Sequence, residues 1–325
     1  MKQPSLASLE DAARLVYEVM PPTPQICWPQ LGQLIGAEVW VKHENHSPIG
    51  AFKLRGGLVY FEELVQKNPN ISGVVAATRG NHGQSIAAAA KRHRLRSLIV
   101  VPHGNSPEKN AAMKARGAEL IEYGEDFQAA LEHAEQLAGE HHLHMVQSFD
   151  EPFVRGAASF SLELFRAVTD LDTVYVPIGL GSAVCGTIAA RNALGLKTDI
   201  VGVVAAAAPA YLESYSAKRP LARPVAPTVA DGMACRVPNP EALEFMLTGI
   251  SRIVSVEEDE IKSAMRHMFR YTHNVAEGAG AAALAAAIKE SPRMRRENRR
   301  QRIALVQTGG NIDKPIFAEV LSKDE

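Results

Sequence analysis

Lys53 is the residue in this sequence whose surroundings best suit covalent chemistry. It follows Phe52 in the stretch Pro48-Ile-Gly-Ala-Phe-Lys-Leu-Arg-Gly-Gly57, in which Pro48 and Gly50 indicate a turn. Apolar neighbours would bury part of the side chain, and burial lowers the pKa of an amine because the cation loses solvation. Such an amine is a nucleophile that can form a Schiff base. A solvated surface lysine is the alternative from this stretch alone.

A glycine-bearing loop, Thr78-Arg-Gly-Asn-His-Gly-Gln84, lies at the start of a predicted helix. Free backbone N–H groups and the helix dipole suit a carboxylate or a phosphate at such a position. Thr78, Asn81 and His82 add side-chain donors. The loop therefore predicts an anion site, although an ordinary helix cap would need some of the same residues.

Two further loops follow predicted strands. In Gly179-Leu-Gly-Ser-Ala183 the glycines allow the backbone to approach an anion closely, and Ser182 can donate a hydrogen bond. The loop lacks the third glycine of a dinucleotide fingerprint, so phosphate binding without a dinucleotide fits better. In Thr308-Gly-Gly-Asn311 a hydroxyl at a strand end can pair with a ring nitrogen. Plain turns are the alternative for both loops.

A lysine, an anion-binding loop and a carboxylate-binding loop together describe a pyridoxal phosphate site. In this interpretation Lys53 takes the aldehyde, the loop at Gly179 takes the phosphate, and the loop at Thr78 takes a substrate carboxylate. A nicotinamide-dependent oxidoreductase, in which Lys53 would be dispensable, and a ligand-binding protein without turnover remain alternatives.

The elements that must position these residues are alternating strands and helices. The sequence predicts strands at 37–42, 73–77, 97–101, 118–121, 173–178, 200–204 and 303–307. It predicts helices at 5–20, 54–66, 85–93, 107–116, 126–141, 156–168, 183–193, 257–272 and 278–289, with a loop at 217–236. Single helices between strands indicate an α/β fold with doubly wound parallel sheets. Ligands bind at the carboxyl ends of such strands, so loops far apart in sequence can converge.

Composition excludes several classes of protein. The chain has 325 residues, 46% of them hydrophobic and 22% charged, and a net charge of −1. These values are typical of a soluble globular protein and give no sign of nucleic-acid or membrane partners. The basic run 293–302 is interpreted as a solvated turn. Three scattered cysteines and an N-terminus without a signal-peptide core favour a reducing, cytoplasmic setting.

The motifs resemble those of the fold type II pyridoxal phosphate enzymes, which are similar to the β subunit of tryptophan synthase. The matching positions, in the family's order and spacing, are Phe52-Lys53, Arg55-Gly56, Gly80-Asn-His-Gly-Gln84, the Gly179–Ala183 loop and Gly309-Gly-Asn311. The branch most similar to this chain contains the serine/threonine dehydratases and serine racemases. Its length resembles the catabolic type, and its variant loops resemble dehydratase-like proteins of hydroxyectoine breakdown.

The resemblance implies a fold and a set of site residues. It implies a large domain (1–65 and 151–325) that binds pyridoxal 5′-phosphate and a small domain (66–150) on the substrate side. Lys53 would carry the cofactor and move the Cα proton. Cofactor contacts would come from Phe52, Lys53, Asn81, Gly179, Leu180, Gly181, Ser182, Ala183 and Thr308. Substrate contacts would come from Thr78, Arg79, Gly80, Asn81 and His82. Glu277 matches a family glutamate near the cofactor.

Three departures from the family pattern matter. Arg79 stands where racemases carry a serine acid/base, and an arginine stays charged, so racemisation is expected to be weak or absent. Arg79 could instead bind a substrate carboxylate bidentately or pair with a protein carboxylate. Leu180 and Ser182 replace glycines of the phosphate loop. The run 205–208 is all alanine where relatives with a divalent cation carry a glutamate, so no metal site is expected, although Glu213 is near.

The resemblance thus implies an enzyme that eliminates water from a β-hydroxy-α-amino acid and yields a 2-oxo acid and ammonia. L-Threonine or L-serine is the default substrate. A bulkier or acidic 3-hydroxy amino acid, such as 3-hydroxyaspartate or a compound derived from hydroxyectoine, is the first alternative, and β-replacement is another. The family also implies a homodimer.

Overall fold

The computed structural model describes residues 1–296 and 300–323. Its strands are β1 (Gln25–Cys27), β2 (Glu38–His43), β3 (Gly73–Ala77), β4 (Arg96–Val101), β5 (Glu119–Glu122), β6 (His144–Met145), β7 (Thr173–Pro177), β8 (Asp199–Ala205), β9 (Arg252–Val256) and β10 (Arg302–Gln307). Its helices are α1 (Leu6–Tyr17), α2 (Pro29–Ile35), α3 (Lys53–Lys67), α4 (Asn81–Arg92), α5 (Pro107–Ala115), α6 (Phe127–Glu140), α7 (Glu151–Ala167), α8 (Ser182–Ala193), α9 (Ala210–Ala217), α10 (Pro240–Gly249), α11 (Glu258–Thr272), α12 (Gly278–Met294) and α13 (Lys314–Ser322).

The strands form two separate sheets. The large sheet has six strands in the order β1-β2-β10-β7-β8-β9, and the small sheet has four in the order β5-β4-β3-β6. Among the described residues, neighbouring strands of both sheets pair in parallel, except β1 with β2. The predicted α/β class with two parallel-sheet domains is confirmed. The domain boundaries at 65/66 and 150/151 stay a prediction.

The large sheet is buried on both faces. In β7, Val174 and Val176 contact the core formed with α7 and α8, whereas Tyr175 contacts the core formed with α11 and α12. In β10, Ala304 contacts the core formed with α7 and α8, and Leu305 contacts the core formed with α11 and α12. Because both faces are covered, these strands are apolar throughout instead of alternating. The small sheet is also covered on both faces. Helices α3 and α4 pack on one face, and α6 packs on the other.

Most element boundaries agree with the predictions, and the differences have local causes. Helix α4 begins at Asn81, not at residue 85, and α7 begins at Glu151, where the side chain of Asp150 accepts a hydrogen bond from the Glu151 N–H. Helix α12 continues to Met294, so the basic run 293–302 begins inside a helix. Residues 297–299 of that run lie outside the described residues.

Seven short elements were not predicted: β1, β6, β9, α2, α9, α10 and α13. Strands of two or three residues at sheet edges carry too few side chains for a visible pattern. Among the described residues, no helix is both long and apolar enough to cross a bilayer.

Candidate active site

Lys53 is the first residue of α3, and its side chain lines a cavity at the carboxyl ends of β7 and β10. The Lys53 Nζ lies 3.3 Å from the Ser182 Oγ and 5.1 Å from the centre of the Phe52 ring. Burial lowers the pKa of the Lys53 amine from its ordinary 10.5 to about 8. The amine is therefore much more available as a nucleophile than that of a surface lysine.

The beginning of α3 is fixed by buried ion pairs. The Arg55 side chain, two residues after Lys53, is fully buried and donates to Glu44 at 2.7 Å and to Glu163 at 2.6 Å. Lys42 at the end of β2 donates to the same Glu163 at 2.5 Å. Two buried cations and two buried carboxylates thus compensate each other and tie α3 to β2 and α7.

The predicted phosphate loop joins β7 to the N-terminus of α8. Ser182 is the first residue of α8, so the backbone N–H groups of its first turn have no partner within the helix. The backbone of the loop approaches its neighbours closely, since a Cβ on Gly179 would lie 2.4 Å from the carbonyl oxygen of Gly232. Gly181 has φ +110°, a value that favours glycine. The loop has the geometry of an anion-binding turn.

One cavity brings the lysine and the phosphate loop together. It is lined by Phe52, Lys53, Pro177, Gly179, Leu180, Gly181, Ser182, Ala183, Gly232, Met233, Ala279 and Thr308. Eight of the predicted cofactor contacts therefore line one cavity, and Asn81 lies outside its lining.

Thr308 follows β10 and reaches the same cavity from the large sheet. Its carbonyl oxygen accepts a hydrogen bond from the backbone N–H of Phe52 at 3.0 Å, and Ala51 pairs with Gly309 as an isolated bridge. These contacts hold the lysine turn against the end of β10. A neutral hydroxyl is thus the group that the large sheet supplies at this end of the cavity.

The loop before α4 carries the predicted substrate contacts, and none of Thr78, Arg79, Gly80, Asn81 and His82 lines this cavity. The Thr78 hydroxyl oxygen accepts a hydrogen bond from the Gly80 N–H at 3.2 Å, which leaves its own proton free to donate. Asn81 is the first residue of α4, and its Nδ2 donates to the Glu277 Oε1 at 2.6 Å. The Asn81 Oδ1 accepts from the Asn311 Nδ2 at 2.8 Å. Asn81 is therefore held by the large domain although it belongs to the small one.

Glu277 connects this loop to the end of β10. Its backbone N–H donates to the Gly309 carbonyl at 3.2 Å, and a Cβ on Gly309 would lie 2.4 Å from the Glu277 Oε1. The side chain is 2% exposed, and burial raises the pKa of its carboxyl to about 7. Among the described residues, the Glu277 Oε2 has no hydrogen-bond partner.

His82 lies inside the first turn of α4 and is buried. Its ring packs edge-on against Phe153, with the ring centres 5.2 Å apart. Burial and the nearby charge of Lys53 lower the pKa of the imidazole to about 3. The ring is therefore neutral, and it can contribute a polar donor or a surface for packing but no positive charge.

Arg79 differs from its neighbours because its side chain is exposed. No carboxylate of residues 1–296 and 300–323 forms an ion pair with it. Both interpretations of Arg79, with a substrate carboxylate or a protein carboxylate as its partner, stay predictions. The Arg79 guanidinium is available to a ligand that enters beside the α4 loop.

Several residues near the cavity were not predicted from the sequence. Gly232 and Met233 reach the cavity from the stretch interpreted as a loop, and Ala279 reaches it from α12. Asp231 and Lys109 form an ion pair beside Glu277 at 2.5 Å. The Asp231-Gly232 pair is a turn signal in the sequence, whereas nothing in the sequence marks Lys109.

These observations agree with the requirements of pyridoxal phosphate. The cavity offers an amine of lowered pKa for an aldehyde, a helix N-terminus for a phosphate and a hydroxyl for a ring nitrogen. A cavity built for a dinucleotide would have to extend beyond these groups.

Comparisons with known proteins give the same result. Residues 16–309 match the model of a family described as pyridoxal-phosphate-dependent enzymes. The chain is 29% identical over 320 residues to an L-threonine ammonia-lyase of Thermotoga maritima, which covers 98% of this chain and 78% of that protein. It is 30% identical over 311 residues to a catabolic L-threonine dehydratase of Staphylococcus aureus, which covers 95% and 89%.

A solved structure also matches the whole fold. The processed form of threonine deaminase isoform 2 from Solanum lycopersicum superposes with a TM-score of 0.89 at 26% identity, over 97% of this chain and 91% of that one. The chain therefore belongs to the family of pyridoxal-phosphate-dependent enzymes, in the branch of serine/threonine dehydratases and serine racemases.

Proposed function

We propose that this enzyme eliminates water from a β-hydroxy-α-amino acid, with L-threonine or L-serine as the default substrate. Loss of the Cα proton and the β-hydroxyl gives an enamine, and its imine tautomer is hydrolysed to a 2-oxo acid and ammonia. The water released in the first stage is consumed in the second, so the net products are the 2-oxo acid and ammonia. The names of the relatives support this class of reaction.

Each group in the site has a proposed task. When bound, pyridoxal phosphate delocalises the electrons left on Cα. Lys53 holds the cofactor and, once displaced by substrate, takes the Cα proton, for which its lowered pKa is suitable. The loop Gly179–Ala183 would bind the phosphate, and the neutral Thr308 hydroxyl would pair with the ring nitrogen without keeping it protonated.

The loop before α4 has the proposed task of binding substrate. Thr78, Asn81 and His82 present neutral donors, together with the backbone N–H groups at the start of the helix, to the α-carboxylate. Asn81 would also donate to the ring oxygen of bound pyridoxal phosphate. Because Asn81 is bound to Glu277, the substrate loop and the cofactor site share one hydrogen-bonded unit.

The observation that carries the proposal is the contact between Lys53 and Ser182. It places an amine of lowered pKa and the first residue of α8 at 3.3 Å, in one cavity with Thr308. A dehydratase needs the lysine that moves the proton to lie beside the group that anchors the cofactor.

The test is release of ammonia and 2-oxo acid from a panel of L- and D-β-hydroxy amino acids. We expect turnover of threonine or serine that is lost in Lys53→Ala. Little exchange of configuration at Cα should accompany it, because Arg79 cannot act as a proton donor on the opposite face. A yellow protein that releases no ammonia would contradict the proposal, and consumption of an added nucleophile in place of ammonia release would indicate β-replacement.

A second candidate substrate is an acidic or bulkier 3-hydroxy amino acid. The observation that favours it is the exposed guanidinium of Arg79, which has no protein carboxylate as a partner in the part of the chain that the structure describes. A second carboxylate on the substrate would form a bidentate pair there. If only 3-hydroxyaspartate turns over and Arg79→Ala loses that activity, Arg79 selects the substrate. If turnover of 3-hydroxyaspartate is unchanged in Arg79→Ala, it does not.

We also propose that the enzyme is a cytoplasmic homodimer. The three cysteines are free, as expected in a reducing compartment. Sedimentation of the purified holoenzyme at several concentrations tests the dimer, and a monomer at all of them would contradict it.

A further inference from the structure

Lys109 is a buried lysine of the small domain whose charged partners all belong to the large domain. It lies on α5, and its Nζ is 2.5 Å from the Asp231 Oδ2 and 3.7 Å from the Glu277 Oε2. The side chain is 8% exposed. A single amine thus connects α5 with two separate loops of the large domain.

The stem of Lys109 also supports the substrate loop. A Cβ on Gly80 would lie 2.7 Å from the Lys109 Cδ, so the backbone before Asn81 rests directly on this side chain. The Lys109 amine faces Glu277, which accepts the hydrogen bond from Asn81. Lys109 therefore contacts both the loop that carries Asn81 and the carboxylate that holds Asn81.

Asp231 extends the connection to the cofactor cavity. It begins a short 3₁₀ turn, Asp231–Met233, and the next two residues, Gly232 and Met233, line that cavity. The Gly232 carbonyl in turn touches the phosphate loop at Gly179. A residue that binds Asp231 and Glu277 at once reaches the site from two sides.

Further contacts of α5 reinforce this link. The Ser106 Oγ donates to the Asp313 Oδ1 at 2.5 Å, and Glu108 accepts from the backbone N–H of Lys314 at 2.8 Å. Both partners lie at the start of α13 in the large domain. The N-terminus of α5 is therefore attached to the large domain along its first turn.

We propose that Lys109 is a positioning residue that holds the Asn81 loop of the small domain against Glu277 and the Asp231 turn of the large domain. It touches none of the groups assigned to cofactor or substrate chemistry except through Gly80 and Glu277. Its effect is on the shape of the site, and it does not depend on which amino acid the enzyme uses.

The charges around Lys109 define how this role responds to pH. The groups that face it are Asp231, Glu277 and, farther away, Asp313. Burial alone would lower the pKa of Lys109, but these carboxylates outweigh it and raise the pKa. Burial has the largest effect on the pKa of Glu277 and raises it. The charge of Lys109 lowers this pKa, and the charge of Asp231 raises it. Removal of the lysine charge should therefore raise the pKa of Glu277 further.

The test compares Lys109→Met, which keeps the length of the side chain, with Lys109→Arg, which keeps the charge. Lys114→Met is the matched control, because Lys114 lies on the same helix and is exposed. Pyridoxal phosphate affinity is titrated by fluorescence between pH 5.5 and 8.5 on cofactor-free protein. Hydrogen–deuterium exchange of residues 78–84 is followed in the holoenzyme. Neither readout needs a substrate, so the result is separate from the proposed dehydratase activity.

In Lys109→Met we expect cofactor affinity to fall about tenfold or more at neutral pH and residues 78–84 to exchange faster, because a buried ion pair has lost one partner. The acidic limb is the low-pH part of the profile, in which cofactor affinity changes with pH. Its midpoint should move to higher pH in Lys109→Met. Lys109→Arg should restore the limb, and Lys114→Met should behave as wild type. A loss of affinity that is equal at every pH, or wild-type exchange and affinity, would overturn the proposal.

Asp231→Asn gives a second route if Lys109→Met does not fold. The Asp231 side chain is 34% exposed, so the change removes the partner charge without burying a new group. It should also speed exchange at 78–84. Since Asp231 raises the pKa of Glu277, its loss should move the acidic limb to lower pH, the opposite of Lys109→Met. The same direction in both variants would overturn the charge-based role.

Discussion

The Asn81 amide donates to the Glu277 carboxylate at 2.6 Å, although the two residues are 196 positions apart in the chain. Asn81 begins a helix of the small domain, and Glu277 precedes a helix of the large one. The contact therefore joins the small domain to the large domain. Burial raises the pKa of the Glu277 carboxyl that accepts this hydrogen bond.

Glu277→Gln should change how stability depends on pH. The folded-state pKa of Glu277 is about 7, above the ordinary 4.5, so the unfolded chain releases this proton first as pH rises. The free energy of unfolding of the wild type therefore falls as pH rises from about 4.5 to about 7. Glutamine does not titrate, so the variant shows no such fall. We expect the variant to gain about 1–3 kcal/mol relative to wild type between pH 5 and pH 8 in urea unfolding. Parallel profiles of the two proteins would show that Glu277 ionises normally.

Lys53 should capture its cofactor with an unusual pH dependence. Its amine has a pKa of about 8 in place of 10.5, because burial disfavours the cation. Below this pH the amine is protonated and cannot attack an aldehyde. Stopped-flow absorbance of cofactor-free protein mixed with pyridoxal phosphate should give a rate that rises with a midpoint near pH 8. Lys53→Ala gives the background, and a midpoint near 10.5 would mean that the lysine is solvated.

Arg55→Met should destabilise the protein strongly. The side chains of Arg55 and Glu44 are fully buried, and loss of one partner leaves a buried charge uncompensated, at a cost of about 3–5 kcal/mol. The matched control is Arg92→Met. Arg92 pairs with Glu18 at the surface with both side chains well exposed, and such pairs contribute at most about 1 kcal/mol. Equal losses in urea unfolding of the two variants would show that burial does not decide the effect.

Gly181→Ala should distort the phosphate loop. The backbone has φ +110°, and the new Cβ would lie 2.8 Å from the Ala242 Cβ. We expect a loss of about 1–3 kcal/mol in stability, together with weaker cofactor binding. Gly195→Ala is the control, because Gly195 also has positive φ but no atom within 4 Å of the added group. Its loss should be about 1 kcal/mol, without a change in cofactor affinity. Similar effects in both variants would assign the loss to the dihedral angle alone.

The part of the site that could be predicted depends on local sequence. Lys53 stands out because a turn and apolar residues surround it, and the loops at Thr78, Gly179 and Thr308 follow buried strands. The rule that such loops meet at the carboxyl ends of parallel strands needs no knowledge of strand order. It placed the phosphate loop and Thr308 around one cavity, which Lys53 also lines, whereas the loop at Thr78 does not line that cavity. The roles of these residues stay predictions.

The part of the site that could not be predicted depends on contacts between charged residues that are far apart in the sequence. Glu163 reaches Arg55 across 108 positions, and Lys109 reaches Asp231 across 122. In sequence, these residues resemble ordinary surface charges, and only the packing of helices around them creates the pairing. Helix α10 is a different case. Asn239 caps it and Pro240 opens it, so the usual start signals were present in the sequence.

The position of β10 also determines when the enzyme can be assembled during synthesis. Strands of the small sheet lie between residues 73 and 145, so they can pair soon after they leave the ribosome. The large sheet cannot close at that stage, because β10 lies between β2 and β7 and is translated after both. A nascent chain that ends before residue 302 therefore has Lys53 and the phosphate loop but neither the central strand nor Thr308. The full lining of the cofactor cavity is therefore present only once the chain has been made as far as Thr308.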